Sequence, residues 1–235
     1  MSSDQVVIVT GAAGNLGAAV ARLLARRGRR LVAMDRTQAG LDTVLAGLDE
    51  PTRHLGVPGV DLTDAAACTA LAAQAVERFG RVDGLVNTVG TFAMGDIDDA
   101  DPAQWEFLFK VNLATTLNMC RAVIPSMRTA GRGSIVNTAA GPALKAPKGM
   151  SAYAASKSAV LRLSESLADE LKGDGVRVNS ILPSIIDTPQ NRAAMPKADT
   201  GKWVTPDQVA EVVAFLLGDA ASGVTGAAIP ISGRG

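Results

Sequence analysis

Short runs of apolar, β-branched residues alternate along the chain with longer segments in which apolar residues recur every three or four positions. The short runs predict strands at 6–9, 31–34, 84–87, 134–137, 178–182 and 228–231. Helices are predicted from the stripe Gly17, Val20, Ala21, Leu24 and over 64–79, 103–128, 152–172 and 206–217. This alternation predicts an α/β fold, a Rossmann-type doubly wound parallel sheet of about seven strands with helices on both faces.

Two segments stand out from this alternation. Thr205-Pro206-Asp207-Gln208 combines a capping threonine, a proline suited to the first helical position and a glutamine that can complete a capping box, so a helix is predicted to begin there. Residues 184–204 show no clear periodicity and are predicted to form a substrate loop. The 235 residues suit one large α/β domain spanning 1–235 better than two small ones.

Charge and composition narrow the possible partners. The 23 basic and 23 acidic side chains balance, so nucleic acid and anionic membranes are not expected as partners. No uninterrupted apolar run is long enough to span a bilayer, and a cytoplasmic location is expected. Cys68, Cys120 and the lone His54 lack the spacing of metal ligands, so no metal site is predicted and structural roles are favoured for all three.

A glycine-rich segment follows the first predicted strand and opens the first helix. Gly11, Gly14, Asn15, Leu16 and Gly17 occupy the positions where backbone must approach a pyrophosphate at a helix N-terminus. The alternative is a tight strand-to-helix turn that binds nothing, because a glycine triplet alone is weak evidence.

Asp35, at the end of the second predicted strand, favours the cofactor interpretation. Its carboxylate can accept hydrogen bonds from the adenosine ribose hydroxyls and would repel a 2'-phosphate, so NAD(H) is preferred as cofactor. Arg36 follows directly and can face solvent, stack on adenine or pair with a 2'-phosphate, so NADP(H) is not excluded.

Tyr153 and Lys157 lie four residues apart on a predicted helix and therefore share a face. A nearby ammonium is expected to lower the pKa of the phenol and make Tyr153 a usable proton donor. A tyrosine and a lysine at this spacing also occur on ordinary solvated helix faces, so the pair alone does not establish a catalytic role.

These motifs occur in one order along the chain: 10–17, Asp35, Asp61-Leu62, 87–90, Asn112 and Tyr153 with Lys157. Together they resemble the single-domain short-chain dehydrogenase/reductase family over essentially the whole chain. The resemblance implies an NAD(H)-dependent oxidoreductase acting on a small-molecule substrate. It also implies a homo-oligomer, a tetramer or a dimer, packed through 103–128 and 152–172.

The resemblance assigns individual roles. Tyr153 would be the general acid/base, Lys157 would hold the nicotinamide ribose and tune Tyr153, and Asn112 would anchor a water that leads protons to Lys157. The remaining positions would contact the cofactor: Asp61 and Leu62 beside adenine, Asn87 and Gly90 after the strand, and Pro183, Ile186 and Thr188 at the nicotinamide.

Ala140 departs from the family pattern, because a serine that polarises the substrate oxygen is expected there, thirteen residues before Tyr153. Thr138 and Ser151 are the nearby hydroxyls, and Ser151 suits a helix cap. Residues 138–204 also resemble dihydropteridine reductases locally, whose substrate develops no alkoxide. Three interpretations stay open: carbonyl or alcohol chemistry by Tyr153 alone, reduction of a quinonoid dihydropterin, and a non-catalytic dinucleotide-binding sensor.

Overall fold

The computed structural model describes residues 4–234, and within this range seven parallel strands form one sheet. The strands are β1 Val6–Thr10, β2 Arg30–Asp35, β3 Leu55–Pro58, β4 Gly84–Asn87, β5 Gly133–Thr138, β6 Val176–Pro183 and β7 Ala228–Ile231. Their order across the sheet is β3-β2-β1-β4-β5-β6-β7. The predicted fold class is therefore confirmed.

Eight α-helices in this range connect the strands. They are α1 Asn15–Arg26, α2 Gln38–Ala46, α3 Ala65–Phe79, α4 Pro102–Phe109, α5 Thr115–Ala130, α6 Ser151–Leu171, α7 Pro189–Ala194 and α8 Pro206–Leu217. The capping box predicted for α8 is present, with Thr205 and Gln208 each accepting a hydrogen bond from the other's backbone amide. None of the helices in the described part of the chain is long and apolar enough to cross a membrane.

Both faces of the sheet are covered, because alternate residues of each strand point to opposite sides. Along β1, Val7 and Val9 pack with α1 and α8, whereas Val6 and Ile8 pack with α3 and α5. All five residues of β1 are buried, which explains why this strand is a continuous apolar run.

The strand order reverses between β1 and β4, which are neighbours although two strands separate them in sequence. In a doubly wound sheet this reversal opens a crevice at the carboxyl ends of the strands, where ligands bind. The loops that follow β1, β4, β5 and β6 meet there, and they carry most of the predicted site residues.

The structure differs from the sequence predictions in four elements. Predicted helix 103–128 is divided into α4 and α5 by a π-helical turn, Lys110–Ala114. Strand β3 and helix α2 were not predicted. The loop at 184–204 contains α7, whose first turn is capped by the Thr188 hydroxyl.

His54 has a structural role. Its Nδ1 accepts a hydrogen bond from the Leu31 amide at 3.2 Å, and Nε2 lies 2.9 Å from the Asp49 carbonyl oxygen, to which it donates in the matching tautomer. The ring therefore joins β2 to the segment before β3.

Candidate active site

The glycine-rich turn brings the chain closer to itself than a side chain would allow. A Cβ atom on Gly17 would lie 2.1 Å from the Gly11 carbonyl oxygen, so only glycine lets α1 pack against the turn. Gly11 itself adopts the left-handed region, with φ of +64°. Gly14 caps α1 without a side-chain hydrogen bond, which leaves the first amides of the helix available to a ligand.

These features fit a dinucleotide. The open amides and the positive end of the α1 dipole favour a pyrophosphate, and small residues let it approach the backbone. Asp35 accepts a hydrogen bond from the Ala13 amide at 2.9 Å and another from the Arg36 amide at 2.7 Å. A carboxylate offers about four acceptor sites, so Asp35 can shape the turn and still bind ribose hydroxyls.

Asp61 and Leu62 lie at the same end of the cleft as Asp35. Hydrogen bonds from the Thr63 hydroxyl and amide hold the pKa of the Asp61 carboxyl below its usual range. Asp61 therefore stays ionised as a fixed acceptor beside the predicted adenine position.

The segment after β4 separates two predicted cofactor residues. Gly90 lines the cleft, and a Cβ atom there would lie 2.9 Å from Lys157 Nζ and 3.0 Å from Asn112 Oδ1. The Asn87 side chain instead is buried and donates to Asn137 Oδ1 at 2.9 Å, away from the cleft. The Asn87 side chain therefore joins β4 to β5, and its cofactor contact stays a prediction.

Tyr153 lies on the first turn of α6, half-buried, with its ring edge-to-face against Phe92 at a centroid distance of 4.9 Å. Lys157, one turn later, is buried and donates from Nζ to the Thr138 carbonyl oxygen at 2.9 Å. The helical spacing predicted from the sequence is therefore present, and the solvated-face interpretation does not apply to Lys157.

The expected electrostatics of this pair need correction. Burial raises the pKa of the Tyr153 phenol to about 12, and burial lowers the pKa of the Lys157 ammonium to about 8. Desolvation thus outweighs the expected lowering of the Tyr153 pKa by Lys157 in the protein without ligand. Tyr153 is consequently held as a neutral phenol that can donate a proton.

Asn112 lies in the π-helical turn Lys110–Ala114 and is fully buried. Its Oδ1 accepts from the Thr91 amide at 2.8 Å, and its Nδ2 donates to the Thr91 carbonyl at 3.0 Å and to Ser156 Oγ at 2.9 Å. Ser156 in turn donates to the Tyr153 carbonyl at 2.8 Å. Asn112 therefore fixes the loop after β4 relative to α6, while its role as a water anchor stays a prediction.

Ala140 lines the cleft on extended backbone, with φ of −164° and ψ of 160°, and places a methyl group where a serine hydroxyl was expected. Ser151 is exposed at the first residue of α6, and Met150 is the N-cap, so the predicted capping role of Ser151 is wrong. The Thr138 hydroxyl is buried without a hydrogen-bond partner in the described structure.

The cleft has a volume of about 1460 Å³ and runs from Asp35 to the surroundings of Tyr153. Predicted residues that line it are Gly11, Gly14, Asn15, Leu16, Gly17, Asp35, Arg36, Asp61, Leu62, Gly90, Tyr153, Pro183, Ile186 and Thr188. Lys157 and Asn112 do not line the cleft but lie directly behind Gly90, which does. Some lining residues were not assigned from the sequence, among them Phe107 and Val111, because apolar residues at helical positions carry no motif.

The loop at 184–204 is attached to the glycine-rich turn across the cleft. Asn15 Nδ2 donates to Gln190 Oε1 at 2.9 Å, although the two residues lie on α1 and α7. A parallel bridge between Ile186 and Val204 closes the base of the loop. Asn15 therefore has a side-chain partner on α7, which the sequence alone did not reveal.

The order of the strands and the glycine-rich turn define a Rossmann-type fold. The Tyr153–Lys157 pair beside the cleft indicates an oxidoreductase. A family profile described as short chain dehydrogenase matches residues 5–199. The chain belongs to the short-chain dehydrogenase/reductase family, as its sequence motifs predicted.

Relatives match over nearly their full lengths. D-threitol dehydrogenase of Mycolicibacterium smegmatis is 36% identical over 239 residues, which cover 97% of this chain and 92% of the relative. An uncharacterised NAD-dependent oxidoreductase of Mycobacterium tuberculosis is 34% identical, with 97% and 94% covered. The crystal structure of an NAD⁺-bound xylitol dehydrogenase superposes with a TM-score of 0.90 at 28% identity, covering 97% of this chain and 98% of that one.

Lys157→Met is expected to stabilise the protein without ligand. A lysine whose pKa falls from 10.5 to about 8 on folding destabilises the fold by about 3 kcal/mol at pH 7. Methionine removes this cost but loses the hydrogen bond to the Thr138 carbonyl, worth about 1 kcal/mol. The net gain of about 2 kcal/mol should raise the melting temperature by roughly 4 to 8 °C.

The pH dependence of this stabilisation tests whether the lowered pKa of Lys157 is its cause. The penalty from Lys157 is fully present below its folded pKa, about 8, and disappears as the pH rises toward the unfolded value of 10.5. Thermal unfolding between pH 6 and pH 10 should therefore show the advantage of the variant shrinking with rising pH. Lys202→Met, at an exposed lysine, is the control and should leave stability unchanged. A gain independent of pH would contradict the assignment.

Proposed function

We propose that the protein is an NAD(H)-dependent oxidoreductase that interconverts an alcohol and a carbonyl compound, with Tyr153 as the general acid/base. The observation that carries this proposal is the placement of the Tyr153 side chain in the same cleft as the dinucleotide cradle, with Lys157 directly behind it. Bound nicotinamide dinucleotide would supply or accept the hydride.

The protein's own residues handle the proton. The half-buried, neutral phenol of Tyr153 donates to the substrate oxygen during reduction, and the phenolate accepts the proton during oxidation. Lys157 is held one turn away through the Thr138 carbonyl, where its ammonium can stabilise the phenolate that follows proton donation. The hydrogen bonds of Asn112 to Thr91 and Ser156 hold the loop after β4 in place against α6, which carries Tyr153 and Lys157.

Two observations favour alcohol and carbonyl chemistry. The relatives named above include dehydrogenases of D-threitol and xylitol, both of which are named for alcohol substrates. Tyr153 and Lys157 are both in place, which opposes the sensor interpretation. The quinonoid dihydropterin remains the alternative suggested by Ala140, and a cytoplasmic homo-oligomer stays a prediction.

Asp35→Ser tests the cofactor preference. Removing a carboxylate that faces ribose hydroxyls should weaken NADH binding by about 10- to 100-fold, the range for a hydrogen bond to a charged group. NADPH binding should weaken less or improve, since the repulsion of the 2'-phosphate is removed. Fluorescence titration of both cofactors measures this, with Asp42→Ser on the exposed face of α2 as control. Equal losses for both cofactors would argue against Asp35 as the selector.

Purified protein should oxidise NADH when supplied with carbonyl compounds. The assay compares ketones, aldehydes, quinones and quinonoid dihydropterin under the same conditions. Turnover confined to the pterin would replace the carbonyl proposal with the alternative. Bound NADH with no turnover on any compound would favour the sensor.

A further inference from the structure

We propose that the substrate is a neutral, predominantly apolar carbonyl compound or the corresponding alcohol, with one reacting oxygen and no ionised group. This inference rests on the proposed function and deepens it. It concerns the substrate end of the cleft, defined here by Phe92, Met94, Phe107, Ile185 and Met195, which lie on the Tyr153 side of the cleft.

Large apolar side chains form this end. Phe92, Met94, Phe107 and Ile185 are 54%, 57%, 55% and 42% exposed, respectively, and all four line the cleft. Phe92 contacts the ring of Tyr153, and Met94 Cε lies 3.7 Å from the position of a Cβ atom on Gly149, close to the start of α6. Exposed apolar side chains gathered in one concave site mark a surface that is covered when a ligand binds.

The ionised side chains that line the cleft are confined to the opposite end. Among the described residues that line the cleft, those with formal charge are Asp35, Arg36 and Asp61, all at the predicted adenosine position. Two basic residues near the substrate end are paired: Arg192 contacts both Asp187 oxygens, at 2.6 and 2.8 Å, and Lys148 contacts Asp96 at 3.4 Å. Lys145 and Lys197 lie in the same loops but are exposed and are not among the residues that line the cleft. A carboxylate, sulfonate or phosphate bound against the lining residues there would lose water without gaining a counterion from them.

Polar side chains near the substrate end are also engaged within the protein. Ser184 Oγ donates to the Ser232 carbonyl at 3.2 Å, Asn191 Nδ2 donates to the Ile186 carbonyl at 2.7 Å, and Thr115 donates to the Val111 carbonyl at 2.6 Å. Of the polar lining residues on this side, Tyr153 and Thr91 have hydroxyls for which the structure records no bond. A substrate with several hydroxyl groups would therefore leave most of them unpaired.

Ala140 agrees with this chemistry, because it adds a methyl group where a hydroxyl would otherwise face the substrate. In the reduction, the carbonyl carbon gains hydride from NADH and the carbonyl oxygen gains the Tyr153 proton. The products are NAD⁺ and the neutral alcohol, and solvent returns the proton to Tyr153.

Cyclohexanone and 4-oxocyclohexanecarboxylate form a matched pair that tests the inference, since they share the reacting ketone and differ in one ionised group. NADH oxidation should give a kcat/KM for cyclohexanone at least about tenfold higher than for the carboxylate, because an unpaired charge must be desolvated. Equal or better turnover of the carboxylate overturns the inference and leaves the proposed function intact. NADH binding without turnover of either ketone overturns the proposed function itself.

Met94→Arg supplies the missing counterion. The cyclohexanone preference should then fall by about tenfold, the range of a charge-assisted hydrogen bond. Ile97→Arg is the matched control, because Ile97 is 66% exposed, lies three residues from Met94 and is not among the lining residues. The Ile97→Arg variant should show the same preference for cyclohexanone as the wild type. The inference is overturned if Met94→Arg leaves the preference for cyclohexanone unchanged. If that variant changes the oligomeric state instead, the apolar side chains of the substrate end have another role, and the inference is likewise overturned.

Discussion

Tyr153→Phe is expected to lower kcat by about 100- to 10000-fold, the range contributed by a positioned general acid. The variant removes one oxygen atom and keeps the ring, so the edge-to-face contact with Phe92 should persist. NADH binding should stay within about twofold, since the glycine-rich turn and Asp35 carry most of the predicted contacts. Stopped-flow turnover and fluorescence titration measure the two quantities separately.

Phe92→Leu is the control for this variant, because it disturbs the same contact without touching the proton donor. It should change KM more than kcat. Unchanged turnover in Tyr153→Phe would remove Tyr153 from the mechanism, and a parallel loss of NADH binding would indicate a structural defect rather than a chemical one.

Ala140→Ser is expected to raise kcat for ketone reduction by about tenfold or more. Removal of one hydrogen-bond donor to a developing oxyanion typically costs about 100- to 1000-fold, so its restoration at the cleft wall should recover part of that range. Reduction of a quinonoid dihydropterin should be unchanged, because no alkoxide develops on that substrate. Parallel assays on both substrates give the comparison.

Ala139→Ser supplies a matched control one residue away. Ala139 is buried against Val160, Leu161 and Leu182, so a hydroxyl there should destabilise the protein without raising turnover. A fall in kcat for both substrates in Ala140→Ser would show instead that the site requires the smaller side chain. That result would argue against an oxyanion as the missing interaction.

The central strands were predictable because burial on both faces leaves an apolar run, as in β1. Strand β3 and helix α2 were not, since they carry weaker patterns. β3 contains a glycine and a proline and buries Val57 alone, and α2 buries only Leu41 and Val44. The division of the 103–128 helix by a π turn depends on contacts of Asn112 with distant residues, which periodicity does not encode.

Some features of the site were likewise predictable from the sequence, and others were not. Motif positions in the glycine-rich turn and the Tyr153–Lys157 spacing were visible in the sequence. The sequence did not show that burial raises the pKa of Tyr153 in the protein without ligand, because that burial arises from segments brought together only by folding. The hydrogen bond of Asn87 could not be predicted for a related reason: its partner, Asn137, is fifty residues away in sequence and on the adjacent strand.

The hydrogen bond between Asn15 and Gln190 has a kinetic consequence. It joins the turn where the pyrophosphate is expected to lie to α7, which lines the same cleft, so release of a bound dinucleotide is expected to require that this bond breaks and α7 moves away. We therefore expect the residence time of the cofactor to follow the opening rate of this segment more closely than the strength of the cofactor's own contacts. In steady-state turnover, cofactor dissociation would then be the slow step whenever the substrate binds and reacts quickly.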